Sequence, residues 1–139
     1  MKSLLLSLFF LSIFVFTGYG QSEYSKELYD QFRNGESENL KKLLPAQPGK
    51  VESDTTLFVR YLVTDDGEKA VLYLEQLVER FPRSEFAVAS YAGMYLYYLA
   101  IDNFRKANNC VLAVENEFPG ESISYFIDES LPHEGEGIE

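Results

Sequence analysis

The 139-residue chain contains one cysteine, one histidine and no tryptophan. A lone Cys110 cannot close an internal disulfide, so the fold must be stabilised by packing, whatever the redox state around it. The only imidazole, His133, lies near the C-terminal end with no fixed neighbour to make it a base or a metal ligand. A thiol nucleophile needs a positioned histidine, and no other is available. Zinc-ligand spacings, glycine-rich phosphate loops and calcium loops of alternating acidic residues are all missing from the sequence. Positive charge is scarce as well: 12 Lys and Arg face 22 Asp and Glu, for a net charge of −10. Phosphate binding requires clustered cations, so this balance argues against a nucleic-acid partner and disfavours an anionic membrane surface. Neither a metal nor a cofactor is implied, and no enzyme is expected. An acidic-site hydrolase stays open only as a distant alternative, because carboxylate pairs are assembled in space rather than along the chain.

What is present begins with an apolar leader. Lys2 precedes the stretch Leu4 to Phe16, interrupted only by Ser7 and Ser12, and small Gly18 and Gly20 follow on either side of Tyr19. That pattern reads as a signal peptide over residues 1–20, with cleavage after Gly20 and Gln21 as the mature N-terminus. The apolar stretch is 13 residues long, against about 20 for a helix that spans a bilayer, so a retained anchor is the weaker reading. No cysteine stands at the cleavage point to carry a lipid. The expected product is periplasmic or secreted, without stable membrane insertion once the leader is removed. Its 119 residues suffice for one domain with a core of its own.

Pro45, Pro82 and Pro119 recur at intervals of 37 residues. Aligning 52–82 with 89–119 superposes Ser53 on Ser90, Tyr61 on Tyr98, Leu62 on Leu99 and Asp65 on Asp102. Further along, Lys69 meets Lys106, Ala70 meets Ala107, Phe81 meets Phe118 and Pro82 meets Pro119. These are 8 identities in 31 positions, where unrelated segments would give about 2. Each unit reads as two helices. In the first, Ser53 or Asp54 opens a helix through Val63, Thr64 to Gly67 form a turn, and Ala70, Leu74, Leu77 and Phe81 face inward. In the second, Ser84 caps a nearly all-apolar helix running through Ile101. Asp102 caps the next, whose stripe is Phe104, Ala107, Val111, Val114 and Phe118. A helix as apolar as 86–101 must be covered on more than one side.

The flanks supply further helices. Tyr24, Leu28 and Phe32 mark one, ended by Asn34-Gly35; Leu40, Leu43 and Leu44 mark a short second one ending at Pro45. After Gly120, the residues Ile123, Phe126, Ile127 and Leu131 mark a terminal helix that would cap a stack. The expected organisation is a helical-repeat domain over 22–131, with units at about 22–45, 46–82 and 83–119 and a cap helix at 121–131. A flexible acidic tail follows over 132–139. Asp65, Asp66 and Glu68 read as helix-capping charge in preference to a cation site. Tyr91, Tyr95 and Tyr98 share a face and suit packing between units, which leaves Tyr97 as a candidate partner anchor.

With these residues in place the chain resembles the tetratricopeptide-repeat family. Tyr91, Met94, Tyr98, Ala107, Val111, Val114 and Pro119 fall at the family's intervals, as do Leu57, Tyr61, Ala70, Leu74, Leu77 and Pro82. The match is good over 52–119 and faint over 24–45. It departs from the pattern at Asp54, where an aromatic is expected, and at Phe58, Tyr95, Leu77 and Val114, where small residues are expected. The period of 37 rather than 34 resembles the longer-repeat forms of bacterial envelope proteins. The resemblance implies an all-α fold, a short right-handed α-solenoid of antiparallel helix pairs, acting as a protein–protein interaction scaffold. Its first helices would line a concave groove, here Thr55, Thr56, Val59, Leu62 and Val63 with Ala92, Gly93, Leu96, Tyr97, Leu99 and Ala100. That lining is small and apolar and carries no Lys or Arg clamp, so it suits a peptide or partner helix better than a carboxylate tail. Two alternatives stay open: the terminal helix covers the groove as core, or the apolar first helices serve self-association in a homo-oligomer.

Overall fold

The structure is a computed structural model that describes residues 21–46 and 52–127. The leader, its cleavage point, Leu131, His133 and the acidic tail lie outside the described residues. Among the described residues all regular structure is helical. In chain order the helices are α1 (Gln21–Arg33), α2 (Ser37–Lys41), α3 (Asp54–Val63), α4 (Gly67–Arg80), α5 (Ala87–Ala100), α6 (Phe104–Glu117) and α7 (Ser124–Ile127).

Local chemistry sets most of the boundaries. The Ser53 side chain accepts a hydrogen bond from the Thr56 amide at the start of α3, and Asp66 accepts one from the Lys69 amide at the start of α4. Each satisfies one of the free amides of a first helical turn, a contribution of about 1 kcal/mol. The bond from the Lys69 amide, with the nearby Lys69 charge, holds the Asp66 carboxyl below its usual range. Gly35, at φ +78°, ends α1 in the left-handed conformation that glycine adopts without steric cost.

Two caps differ from expectation. At α6 the cap is Asn103, whose side chain accepts from the Lys106 amide, while Asp102 adopts φ +56° and makes the reversal itself. A short polar side chain tolerates that backbone better than most, so Asp102 serves the turn and its neighbour the helix. Ser84 lies two residues ahead of the α5 cap position, Phe86. Its Oγ accepts from the Phe86 amide at 3.1 Å and donates to Asp54 Oδ2 at 2.6 Å, tying the approach to α5 to the start of α3.

The 37-residue offset reappears in the elements. Shifted by it, α4 superposes on α6 end for end, and Asp66 and Phe81 fall on Asn103 and Phe118 at the two caps. The C-cap backbones agree too, at φ −130°, ψ 61° for Phe81 and φ −128°, ψ 64° for Phe118. Helices α3 and α5 end in register, but α5 starts four residues earlier relative to the offset, with Ala87, Val88, Ala89 and Ser90 as an added first turn.

Each helix from α3 to α6 packs on the next, α5 is also covered by α7, and α1 reaches back to α3. The near-total burial of α5 follows from this threefold cover: Ala87, Val88, Ala89, Ser90, Ala92, Gly93, Met94 and Tyr98 are all buried. Helices α4 and α6 bury a single stripe each, Ala70, Val71, Leu74 and Leu77 in one and Ala107, Cys110 and Val114 in the other. Phe104 departs from the expected stripe and is 64% exposed. Its counterpart one repeat earlier, Gly67, lies under the Tyr97 ring of the following helix pair, whereas among the described residues no further pair follows α6. Phe32 is likewise exposed, because α1 seats Ser25, Leu28 and Tyr29 inward instead. Helix α2 buries Leu40 and stops at Lys41, leaving Leu43 exposed beyond its end.

Candidate partner surface

The proposed groove residues sit on α3 and α5, the first helix of each pair, and they divide into two groups. Val59, Leu62, Ala92 and Gly93 are buried in the core and present no surface to a partner. Gly93 shows why: a Cβ there would stand 2.6 Å from Leu74 Cδ1 and 2.7 Å from the Tyr61 hydroxyl oxygen. Its missing side chain is the space through which α3, α4 and α5 approach one another, and the same crowding pushes the Tyr61 hydroxyl up to about 12 by burial. Thr55, Thr56, Val63, Leu96, Tyr97 and Leu99 are half-buried and Ala100 is exposed. The outward surface of these two helices is therefore narrower than the eleven-residue lining. The half-buried Tyr97 ring packs beside Gly67 and edge-on to Tyr98, with ring centroids 5.6 Å apart.

Both ends of the described chain converge on the same two helices. α1 packs on α3, α7 packs on α5, and the two flanking helices meet. The Tyr29 hydroxyl donates to the Phe126 carbonyl oxygen at 2.8 Å, and the two rings meet edge to face with centroids 5.2 Å apart. Beside them, the Tyr125 hydroxyl donates to Asp30 Oδ2 at 2.7 Å, and Lys26 Nζ lies 5.2 Å from the Tyr125 ring centroid. Asp30 in turn holds the Tyr125 hydroxyl pKa above the usual phenol range. Periodicity along the chain could not have revealed this clasp, whose partners lie 95 and 97 residues apart. It borders an open polar depression of about 710 Å³ lined by Glu23, Lys26, Glu27, Asp30, Gln31, Asn34, Glu36 and Tyr125. No group of three or more His, Cys, Asp or Glu among the described residues is arranged to hold a metal ion.

A second polar contact links α4, α5 and α6. The Tyr98 hydroxyl donates a short hydrogen bond to Glu75 Oε1, and Lys106 Nζ sits 4.8 Å from the Tyr98 ring centroid. Burial first, and then the Glu75 carboxylate, raise the Tyr98 hydroxyl pKa. Cys110 lies one turn beyond Lys106, 3% exposed, and burial raises its thiol to about 11 despite the Lys106 charge. The thiolate is the reactive form, so alkylation at pH 8 is expected to be at least about a hundredfold slower than for an ordinary exposed thiol. Iodoacetamide labelling followed by intact mass checks this; rapid labelling of the folded protein would contradict a core position for Cys110.

No helix among the described residues is long and apolar enough to cross a membrane. Compared with protein-family models, with curated proteins and with solved structures, the chain matches none.

Proposed function

We propose that this chain is an exported interaction scaffold, a short tetratricopeptide-like stack of helix pairs that receives a peptide or helix of an envelope partner and performs no chemistry. The observation that carries this reading is the coincidence of α4 and α6, cap for cap, at an offset of 37 residues. Repeat scaffolds build a binding face from the first helices of successive pairs, and the equivalence supports giving that role to α3 and α5. The apolar leader with its small-residue cleavage pattern supports export. A net charge of −10 favours a neutral or basic partner segment, because like charge across an interface opposes association.

The test is the double substitution Leu96→Glu and Leu99→Glu, both at half-buried positions on α5. Crosslinking in the native envelope followed by mass spectrometry is expected to recover a partner with the unaltered chain and to lose it with the variant. Helical circular dichroism should keep its native shape, since both leucines are only half-buried and only Leu99 borders the core. Unchanged recovery with the fold preserved removes this face from consideration. N-terminal sequencing of the exported product should begin at Gln21.

One observation favours a second reading, self-association. Ile101 and Phe104, 50% and 64% exposed, flank the α5–α6 turn, and among the described residues no further helix pair follows it. Exposed aromatic and branched side chains at the open end of a stack suit contact between copies. Sedimentation across micromolar concentrations separates the two readings, because a strict monomer would rule the second out.

A further inference from the structure

We propose that the α5–α6 turn is one half of a self-complementary patch, which docks across a two-fold axis on the α3–α4 turn of a second copy of this chain. The pairing rests on the self-association reading above and adds to it the opposing surface and its register. The two turns are neighbours in the fold. Tyr97, near the end of α5, lies against Gly67 at the start of α4, and Lys106, in the first turn of α6, sits over the Tyr98 ring. At the offset of 37 residues the turns are equivalent in position and opposite in character. Gly67 and Glu68 open α4 where Phe104 and Arg105 open α6. All four residues are exposed. One turn therefore offers a notch beside an aromatic ring and a negative charge, and the other a large ring and a positive charge.

A two-fold axis between the turns sets Phe104 of each copy over Gly67 and Tyr97 of the other, with Arg105 opposite Glu68, so that every favourable contact forms twice. Neither charge is already taken. Among the described residues Glu68 and Arg105 are in no ion pair, whereas Asp66 holds Lys69 at 3.6 Å. Docking the α5–α6 turn on itself would instead bring Arg105 against Arg105, and like charges oppose association. The net charge of −10 also repels a second copy, but physiological salt screens that repulsion beyond about 8 Å and spares contacts inside the patch. With only Ile101 and Phe104 as exposed apolar side chains at the turn, the interface is small, and a Kd of about 10–100 µM is expected.

Sedimentation equilibrium of the full mature chain at about 0.15 M salt should show this monomer–dimer step. Arg105→Glu and Glu68→Arg should each weaken it at least about tenfold, because each sets like charges together at two symmetric contacts. Both substitutions in one chain should restore the affinity of the unaltered protein to within about threefold, a recovery that only the crossed arrangement gives. Phe104→Ser should yield a monomer with an unchanged melting temperature. Circular dichroism of every variant should be native, since all the substituted positions are exposed. A variant that unfolds places its side chain in the core and overturns the pairing. Indifference to the single reversals, or no recovery in the double variant, overturns the pairing while leaving self-association standing. A chain that stays monomeric at several times the expected Kd removes both. If Phe104→Ser then also abolishes a crosslink to another protein in the envelope, the turn belongs to that partner instead.

Discussion

Replacing Phe86 by alanine is expected to destabilise the fold by about 3–5 kcal/mol, a large part of the 5–15 kcal/mol that holds most domains together. Phe86 has no solvent exposure and joins three helices at one point. Its ring stacks on Phe58 of α3 with centroids 4.9 Å apart and meets Tyr24 of α1 edge-on at 5.8 Å, while its carbonyl accepts from the Ser90 amide and hydroxyl inside α5. Truncation removes the burial of an aromatic side chain and leaves a cavity against Phe58, which cannot collapse without moving the N-terminal helix. A melting temperature lower by about 10–20 °C is the expected readout in thermal circular dichroism. A loss below about 1 kcal/mol would mean that α1 and α3 are not joined through this residue.

The second large effect is at Gly93. Helix propensity alone predicts that Gly93→Ala stabilises by about 1 kcal/mol, since glycine is the poorest ordinary helix former. Sterics predict the opposite, because the new Cβ would lie 2.6 Å from Leu74 Cδ1 and 2.9 Å from Tyr61 Cζ. Leu74 is fully buried and has little room to withdraw. Overpacking of this kind costs about 1–3 kcal/mol, so the net change for alanine is close to zero or a loss of up to about 2 kcal/mol. Valine adds two further methyl groups in the same direction and should cost about 3 kcal/mol or more, detected as a lower midpoint in urea with an unchanged slope. A stabilised Gly93→Val variant would show that α5 does not approach α3 and α4 at this point.

Much of the helical architecture was legible without coordinates because it is written in local signals. Ser53 and Asp66 cap where side-chain oxygens can reach an amide three residues on, and the Ala70, Leu74 and Leu77 spacing marks the buried stripe of α4. The identities at an offset of 37 reappear as the equivalence of α4 and α6. Legibility ended where one signal had two meanings. Apolar residues on α5 look alike whether they face a ligand or a neighbouring helix, so Val59, Leu62, Ala92 and Gly93 read as groove while the fold makes them core. Phe104 carried the right period and still lies in solvent, since periodicity marks a face of a helix but not whether anything covers it.

Charge balance, the leader pattern, the repeat offset and the caps of α3 and α4 are properties of residues near one another in the chain, and the sequence alone determined them. The meeting of Tyr29 with Phe126, of Phe86 with Tyr24 and Phe58, and of Gly93 with Tyr61 and Leu74 depends on segments brought together only by folding. Hydrogen-bond reach and helical period act over three or four residues, whereas burial depends on every element that arrives at a surface. For that reason tertiary packing, and not composition, decided which apolar side chains of α3 and α5 are core and which stay at the surface.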